Sequence, residues 1–385
     1  MKRQIISKKQ GRRLWEYNEY INSWQNLHQL MRDSWIDDLY GKFPDVPGVV
    51  VSSGPSLDNQ VAELHKLKDK ALLFVCDRSV KFCLKHGIDP DFCITLDPQE
   101  FSVKYYQGLN LPKYMAIVYG LQVEPDIFTH WRHNRRFVLR AHNYLLKLFS
   151  NMLKKSKELN CWGTISSAAM AVLWEFGCSP VGLIGQDLCY QMSDAGEVIS
   201  HCKGFWNEAR KRRDRGEFIP VMNSDGKKVW TIAPFLAYKK HMETQIEQAP
   251  VTTFNLTPGG LKIKGTANVT CKDFLDICQP GKVQEARQYI KNVLAKKPKP
   301  VLTDMGLLRI AITIKTLCQK PLPTSKLEME KDLIYQIYQP VYDVMLALDE
   351  DKTIMTKTLG AIKEKIKNMV MHNAEVREKL EKLSN

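Results

Sequence analysis

The sequence of 385 residues has no apolar run long enough to cross a membrane, so it predicts no membrane span. Neither an apolar segment nor a small-residue cleavage site follows its basic first residues, and a secretory signal is not expected. None of its ten cysteines forms a CxxC pair or the spacing of a zinc site. Most stand singly inside apolar runs, which is typical of buried thiols in a reducing compartment, and we expect a cytoplasmic protein.

Several catalytic signatures are also missing. The phosphate-loop patterns GxGxxG and GxxxxGK[ST] do not occur, and no nucleophile elbow or HExxH helix is present. These absences argue against standard dinucleotide-binding and P-loop enzymes, serine hydrolases and zinc proteases. Any nucleotide site in this chain has to be built from other residues.

Acidic residues are scarce relative to basic ones, at 42 against 56, which gives a net charge of +14. The lysines and arginines are spread along amphipathic helical patterns, and no basic stretch is interleaved with aromatic residues. Nucleic acid is therefore not expected as a partner. The densest basic cluster, residues 210–215, predicts a solvated helix face. An anionic substrate or an acidic acceptor would also suit a basic surface.

The most informative stretch that is present is residues 48–57, GVVVSSGPSL. Its three valines predict a buried strand, and Gly54-Pro55-Ser56 predicts a tight loop before a helix. Glycine lets the backbone approach a ligand closely, and the N–H groups of a helix start attract phosphate. An ordinary strand-to-helix turn would contain the same residues, and both interpretations stay open.

Strands and helices alternate over residues 48–255, and the strand patterns are apolar throughout. The predicted strands are 49–51, 71–76, 92–96, 114–119, 137–139, 181–184 and 251–255. This alternation predicts an α/β fold with a Rossmann-like, mostly parallel sheet and helices on both faces. Polar residues close four of these strands, namely Ser53-Gly54, Asp77, Asp97 and Asp187. Ligands of such sheets bind at the carboxyl ends of the strands, although strand ends also attract Asp and Gly as caps.

The flanking segments have a different character. Aromatic and aliphatic residues at helical spacing predict a helical N-terminal segment over residues 1–44, ahead of an α/β domain over 45–270. Residues 271–385 are poor in glycine and predict an all-α bundle. Its last helix, over 352–383, has near-heptad spacing and could join two subunits of a homo-oligomer.

Two further places carry candidate chemistry. Gly163-Thr164 begins an apolar helix with hydroxyl groups that could bind a phosphate or carboxylate, or serve only as a cap. His201 lies in a long irregular segment after Asp187, and a histidine there is suited to acid–base chemistry near neutral pH. The strand-end residues Asp77 and Asp97, named above, could bind a ribose hydroxyl, a sugar hydroxyl or a metal, or they could only cap their strands.

Five blocks in order resemble the central domain of the motility-associated-factor (Maf) glycosyltransferases, a domain shared with MptE-like pterin pyrophosphokinases. The blocks are VVVSSGPSLDN, GIDPDFCITLDP, CWGTISSAAMAVLWEFGCSPVGLIGQDLCY, SHCKG and FNLTPGGLKIKGT. They are more distantly similar to bacterial sialyltransferases that use CMP-sialic acid. Ser52 departs from the pattern, since the family's GxGPSL loop has a glycine there.

The resemblance implies a site. The implied nucleotide-sugar-binding residues are Ser53, Gly54, Pro55, Ser56, Asp77, Asp97, Gly163, Thr164 and Gln186. In this comparison Gly54, Pro55 and Ser56 cradle the donor phosphate, and Gly163 and Thr164 contact the CMP moiety or the sugar carboxylate. Asp187 closes the pocket, and His201 is the base. Both are the implied catalytic residues.

The implied activity is transfer of pseudaminic or legionaminic acid from its CMP derivative to serine or threonine of flagellin. No cofactor or metal is required by this reading, although Mg²⁺ is compatible with it. Two alternatives stay open. One is an MptE-like, ATP-dependent pterin pyrophosphokinase with Asp77, Asp97 and Asp187 as Mg²⁺ ligands. The other is a non-catalytic nucleotide-binding adaptor whose helical tail binds partners.

Overall fold

The computed structural model describes residues 15, 18–161, 163–192, 198–199, 201–202, 216–279, 281–302 and 306. The predicted basic face at 210–215 and the predicted last helix at 352–383 lie outside these residues. Within the described part of the chain, no helix is both long and apolar enough to span a membrane.

The described strands form one large sheet and two small ones. Their bounds are β1 (Ser34–Trp35), β2 (Gly48–Val51), β3 (Leu72–Cys76), β4 (Phe92–Thr95), β5 (Ala116–Tyr119), β6 (Arg136–Val138), β7 (Val181–Ile184), β8 (Gln191–Met192), β9 (Val198–Ile199), β10 (Ile219–Met222), β11 (Lys228–Thr231), β12 (Thr253–Asn255) and β13 (Ala267–Asn268). The large sheet has the order β1-β6-β5-β4-β3-β2-β7-β12-β13. All of its neighbouring strands are parallel. The pairs β8–β9 and β10–β11 are antiparallel.

Besides a helical stretch at residues 18–26, the described α-helices lie between these strands or follow the last of them. They are α1 (Val61–Lys70), α2 (Asp77–Lys85), α3 (Ile127–His130), α4 (Tyr144–Leu148), α5 (Ile165–Phe176), α6 (Ala233–Glu247), α7 (Cys271–Ile277) and α8 (Lys282–Ala295). Short 3₁₀ helices lie at Leu27–Met31, Ile36–Leu39, Pro55–Asn59, Glu100–Tyr105 and Ser150–Met152.

The central strands are buried on both faces, as their continuous apolar runs predict. Val49 and Val51 of β2 pack into one core cluster together with Leu64 of α1. Val50, which points the other way, packs into a second cluster together with Leu173 of α5. Because successive side chains of a strand alternate between faces, helices cover both sides of the sheet. The predicted Rossmann-like α/β fold is confirmed.

The N-terminal segment is more than the helix that its spacing predicts. Residues 18–26 are helical, but Ser34 and Trp35 form the edge strand β1, paired with Phe137 and Val138 of β6. A strand of two residues has no detectable periodicity, so the sequence pattern misses it. The segment is part of the large sheet as well as of the core.

The spacing of apolar residues over 141–158 predicts a helix, and this prediction is wrong in most of its length. Only Tyr144–Leu148 and the 3₁₀ turn Ser150–Met152 form there, with the Asn143 side chain capping the first. Leu153 instead makes a β-bridge with Leu302. In this segment the backbone pairs with residues that are distant in the chain instead of forming helical hydrogen bonds. The local spacing of apolar residues does not reveal such partners.

The described part of the predicted C-terminal helical region packs back onto the sheet. Phe274 of α7 is fully buried in the core, and Arg287 of α8 forms a two-bond ion pair with Asp91 beside the start of β4. The backbone N–H of Val301 donates to the carbonyl of Asp33 at 3.0 Å, which joins this region to the N-terminal segment.

Candidate functional site

The sheet order places β4, β3, β2 and β7 side by side, so their carboxyl ends meet at one edge. The predicted residues after these strands therefore belong to neighbouring loops. In strand order, they are Asp97, Asp77, the Ser53–Ser56 loop, and Gln186 with Asp187. We call this region the carboxyl edge.

Asp187 binds the loop that follows β2. Its Oδ2 accepts a hydrogen bond from the Ser56 hydroxyl at 2.7 Å, and its Oδ1 accepts one from the Ser56 N–H at 3.2 Å. A methyl group on Gly54 would lie 1.9 Å from Oδ2, so only glycine lets the carboxylate approach so closely. The Gly54 N–H donates to the carbonyl of Gly185 at 2.8 Å.

This contact changes the expected role of the loop. Pro55 has no N–H, and the donors of Gly54 and Ser56 are already bonded within the protein. The Asp187 carboxylate accepts hydrogen bonds from both Ser56 donors, which the family resemblance assigns to a donor phosphate. A phosphate that used them would have to displace Asp187. Here, Asp187 links the loops after β2 and β7, and its catalytic role stays a prediction.

Gln186 and Ser52 strengthen the same junction. The Ser52 hydroxyl donates to the Gln186 side-chain oxygen at 2.6 Å. The Gln186 N–H donates to the Thr257 hydroxyl at 3.0 Å, which adds the loop after β12. Ser52, the residue that departs from the glycine of the family pattern, therefore has a bonding partner here. Sequence reasoning missed Thr257.

Asp77 is the first residue of α2 and is almost completely buried. Its carboxylate accepts hydrogen bonds from the N–H of Arg78 at 2.7 Å and from the hydroxyl of Thr95 at 3.1 Å. Burial raises the pKa of Asp77 to about 7, against the smaller opposing effect of the Arg78 charge. Burial also raises the pKa of Asp97, which accepts the Gln99 N–H at 3.0 Å.

Arg78 interacts with the carboxylates of Asp77 and Asp97 and with the predicted base, His201. Its Nη1 lies 2.9 Å from Nε2 of His201, and its guanidinium lies over the rings of Phe101 and Tyr105 at 5.9 and 5.5 Å. A guanidinium only donates hydrogen bonds, so Nε2 of His201 accepts. This contact selects a neutral imidazole with its proton on Nδ1.

Arg78 is a second residue that sequence reasoning missed at this edge. One signal in the sequence points to it: among the four predicted strand ends, only Asp77-Arg78-Ser79 contains a cation. That cation lies where an anionic ligand of the carboxyl edge would meet it.

His201 reaches the edge because the residue after it is anchored there. The Cys202 N–H donates to the carbonyl of Ser53 at 3.0 Å, and the Cys202 side chain is buried in the core. The structure thus brings the predicted base next to the loop after β2 and, through Arg78, next to the start of α2.

Gly163 and Thr164 form the start of α5. The Thr164 hydroxyl accepts the Ser167 N–H at 3.1 Å, and the Ser167 hydroxyl accepts the Thr164 N–H at 3.2 Å, which is a capping box. Gly163 has φ +101°, and a methyl group there would lie 3.0 Å from the Cβ of His241 on α6. Because α5 runs back to the start of β7, its N-terminus faces the carboxyl edge. The capping role is observed, and the ligand-binding role stays a prediction.

Across the described ranges, no group of three or more His, Cys, Asp and Glu side chains is arranged to hold a metal ion. Asp77 and Asp97 lie close enough for their charges to influence each other. Asp187 instead bonds Ser56 at the β2–β7 junction.

Comparison with known proteins gives three findings. Residues 21–193 match the family model of the MptE-like 6-hydroxymethylpterin diphosphokinases. The solved structure of the MAf glycosyltransferase from Magnetospirillum magneticum AMB-1 superposes with a TM-score of 0.52 at 14% identity, covering 96% of this chain and 58% of that chain. An uncharacterised protein of Treponema pallidum (strain Nichols) is 33% identical over 54 residues, which are 14% of this chain and 26% of that protein.

This chain therefore spans 58% of the MAf structure, and its aligned part spans 26% of the curated relative. At 14% identity the structural likeness concerns the fold. The more distant similarity to sialyltransferases stays a prediction. The resemblance to the Maf and MptE-like proteins is confirmed, in sequence by the MptE-like family model over residues 21–193 and in fold by the Maf glycosyltransferase.

Proposed function

We propose that this protein is a glycosyltransferase that binds a CMP-activated nonulosonic acid at the carboxyl edge of its sheet. The observation that carries the proposal is the contact between Arg78 and His201, which joins a cation and a neutral imidazole beside the start of α2. An anionic sugar nucleotide needs a cation, and an acceptor hydroxyl needs a base. The fold shared with a Maf glycosyltransferase supports the same class of reaction.

The proposed reaction is a single displacement. The acceptor oxygen forms a bond to the anomeric carbon of the sugar, and the bond from that carbon to the phosphate oxygen breaks. The electron pair leaves with CMP, and the acceptor proton passes to His201. Arg78 offsets the charge that develops on the leaving phosphate. The proposed donors are CMP-pseudaminic or CMP-legionaminic acid, and the proposed acceptors are serine and threonine hydroxyls of flagellin.

Replacing the base separates binding from chemistry. We expect His201→Gln to lower kcat by about 10²-fold or more while CMP still binds, because general-base catalysis typically contributes that much. The readout is CMP release from a CMP-activated nonulosonic acid together with CMP binding by calorimetry. His65→Gln, on the exposed face of α1, is the matched control. Unchanged turnover in His201→Gln would remove His201 from the chemistry.

A second candidate is an ATP-dependent pterin pyrophosphokinase. The match of residues 21–193 to the MptE-like family model favours it, and Asp77 with Asp97 would supply carboxylates for Mg²⁺. Phosphoryl transfer of this kind depends on a metal clamp over the phosphates. Its activity would therefore disappear with a chelator, whereas the proposed sugar transfer requires no metal.

A thermal-shift screen with CMP and ATP, each with and without Mg²⁺, decides between these functions. A ligand at a hundredfold excess over its Kd stabilises the fold by about 2.7 kcal/mol, which is readily measured. Metal-independent stabilisation by CMP would support the glycosyltransferase. A shift with ATP only in the presence of Mg²⁺ would support the pyrophosphokinase. Binding of CMP without any turnover of the activated sugars would favour a nucleotide-binding adaptor.

A further inference from the structure

The Arg78–His201 contact has a second implication, which rests on the proposed function. We propose that Arg78 is the residue that recognises the donor phosphate, and that in the free protein it occupies the Nε2 atom that His201 needs as a base. Binding of the donor would then draw Arg78 onto the phosphate and free His201. Arg78 is in this sense a positioning residue for His201 as well as a binding residue for the donor.

The first step of the argument is the hydrogen bond itself. Nη1 of Arg78 lies 2.9 Å from Nε2 of His201, which is a normal hydrogen-bond distance. The lone pair of Nε2 is the basic site of this tautomer, and a nitrogen that already accepts a hydrogen bond cannot also accept the proton of an acceptor hydroxyl. His201 is thus held at the site in the neutral form but is not available as a base.

The second step is the setting of the guanidinium. It lies over the rings of Phe101 and Tyr105, which restrict its position by cation–π contact, and it also hydrogen bonds with the Tyr105 side chain. The carboxylates of Asp77 and Asp97 influence its charge, but the Asp77 oxygens accept bonds from the Arg78 N–H and from Thr95. The Arg78 side chain is therefore oriented by its ring contacts, by a hydrogen bond with the Tyr105 side chain and by His201.

The third step compares two acceptors for Arg78. A guanidinium bonds a phosphate through two parallel, charge-assisted hydrogen bonds, whereas a neutral imidazole offers a single uncharged acceptor. A phosphate within reach would therefore displace His201 from Nη1. The Cys202 N–H bond to Ser53 would keep His201 at the edge after Arg78 has moved. The base would then become available only when a donor is present.

The test observes His201 directly. Protein labelled with ¹⁵N-histidine is titrated with CMP, and long-range ¹H–¹⁵N correlation spectra report the ring nitrogens. His201→Gln assigns the His201 signals, and His65→Gln is the control for unrelated changes. In the free protein we expect a neutral His201 with its proton on Nδ1, and we expect its Nε2 resonance to move as CMP saturates the site.

Variants of Arg78 complete the experiment. We expect Arg78→Met to weaken CMP binding by about tenfold or more, which corresponds to about 1.4 kcal/mol, and to abolish the CMP-dependent change at Nε2. Arg78→Lys keeps the positive charge but loses the paired N–H groups of the guanidinium, and it should give an intermediate affinity. Arg132→Met, at an exposed position, is the control, and circular dichroism verifies that each variant is folded.

The outcomes separate this inference from the proposed function. If CMP saturates the wild-type protein but the Nε2 resonance of His201 stays in place, the inference fails and the glycosyltransferase proposal stands. The inference also fails, and the glycosyltransferase proposal also stands, if Arg78→Met binds CMP with the same affinity as the wild type. If CMP does not bind the wild-type protein at all, both fail. The wild-type titration alone decides the matter if an Arg78 variant does not fold.

Discussion

Asp187 occupies hydrogen-bond donors of the Gly54–Ser56 loop that the family resemblance assigns to a ligand. Both of its oxygens accept hydrogen bonds from Ser56, one from the hydroxyl and one from the backbone. Two loops from neighbouring strands are thereby joined at the carboxyl edge. At the scale of the residue, Gly54 and Asp187 form one structural unit, and a ligand at this edge has to use other donors or displace the carboxylate.

Replacing Gly54 tests that unit. We expect Gly54→Ala to lower the free energy of unfolding by about 1–3 kcal/mol, because the new methyl group would lie 1.9 Å from the Asp187 Oδ2 and 2.5 Å from the Gly185 carbonyl oxygen. Urea unfolding measures the loss. Ser53→Ala changes the same loop without adding an atom and is the control. Equal stability of Gly54→Ala and the wild type would mean that the loop does not approach Asp187 so closely.

Asp77 gives a prediction with a defined pH dependence. Burial raises its pKa from 3.8 to about 7, so the folded protein binds this proton more tightly than the unfolded chain does. The contribution of Asp77 to stability is therefore fully present below about pH 4 and decreases as the pH rises to about 7. Asp77→Asn removes this dependence.

We expect Asp77→Asn to gain stability relative to the wild type by about 2–3 kcal/mol between pH 5 and pH 8, since this range covers about two units of the shift and each unit corresponds to about 1.4 kcal/mol. Urea unfolding across this range measures the difference between the two proteins, which isolates Asp77 from other titrating groups such as Asp33. Asp225→Asn, in an exposed turn, is the control. A difference that does not vary with pH would contradict the prediction.

At the scale of the element, α8 illustrates how a helix is attached to the sheet through one side chain. Nε and Nη2 of Arg287 donate to the two oxygens of Asp91 at 2.7 and 3.0 Å, and Nη2 also donates to the carbonyl of Ala71. Asp91 is nearly buried and accepts the Leu73 N–H as well. The helix is thus anchored beside the starts of β3 and β4, opposite the carboxyl edge.

Removing this anchor should affect α8 more than the centre of the sheet. We expect Arg287→Met to cost about 3 kcal/mol, because it leaves the nearly buried Asp91 carboxylate without its cation. Hydrogen exchange should show loss of protection in α8, with smaller changes in β2 and β7. Lys291→Met, at an exposed position of the same helix, is the control. Unchanged exchange in α8 would indicate that its apolar contacts suffice.

At the scale of the whole molecule, the net charge of +14 acts on every ligand that approaches the protein. We expect the affinity for CMP to fall several-fold between about 50 mM and about 500 mM NaCl, because salt screens the attraction between the basic protein and an anion. Calorimetry at both salt concentrations measures it. Cytidine lacks the phosphate and is the control. If CMP binding does not vary with salt, the charge of the protein does not contribute to recognition.

The core of the fold could be predicted from the sequence, whereas its edges could not. Strands such as Val49–Val51 and the run ending at Cys76 are apolar throughout and bounded by turn residues, and the structure confirms the parallel sheet that they predict. The edge strand Ser34–Trp35 and the bridge between Leu153 and Leu302 have no local pattern. Both exist only because distant parts of the chain supply their partners.

By itself, the sequence determined which residues lie at the ends of the strands, since apolar runs and turn formers are local properties. It therefore placed Asp77, Asp97 and Asp187 at the carboxyl edge. Only the tertiary structure decided how those residues are paired, because hydrogen bonds between loops depend on strand order and on distances between side chains far apart in the chain. It joined Asp187 to Ser56 and brought Arg78 to His201, 123 positions away.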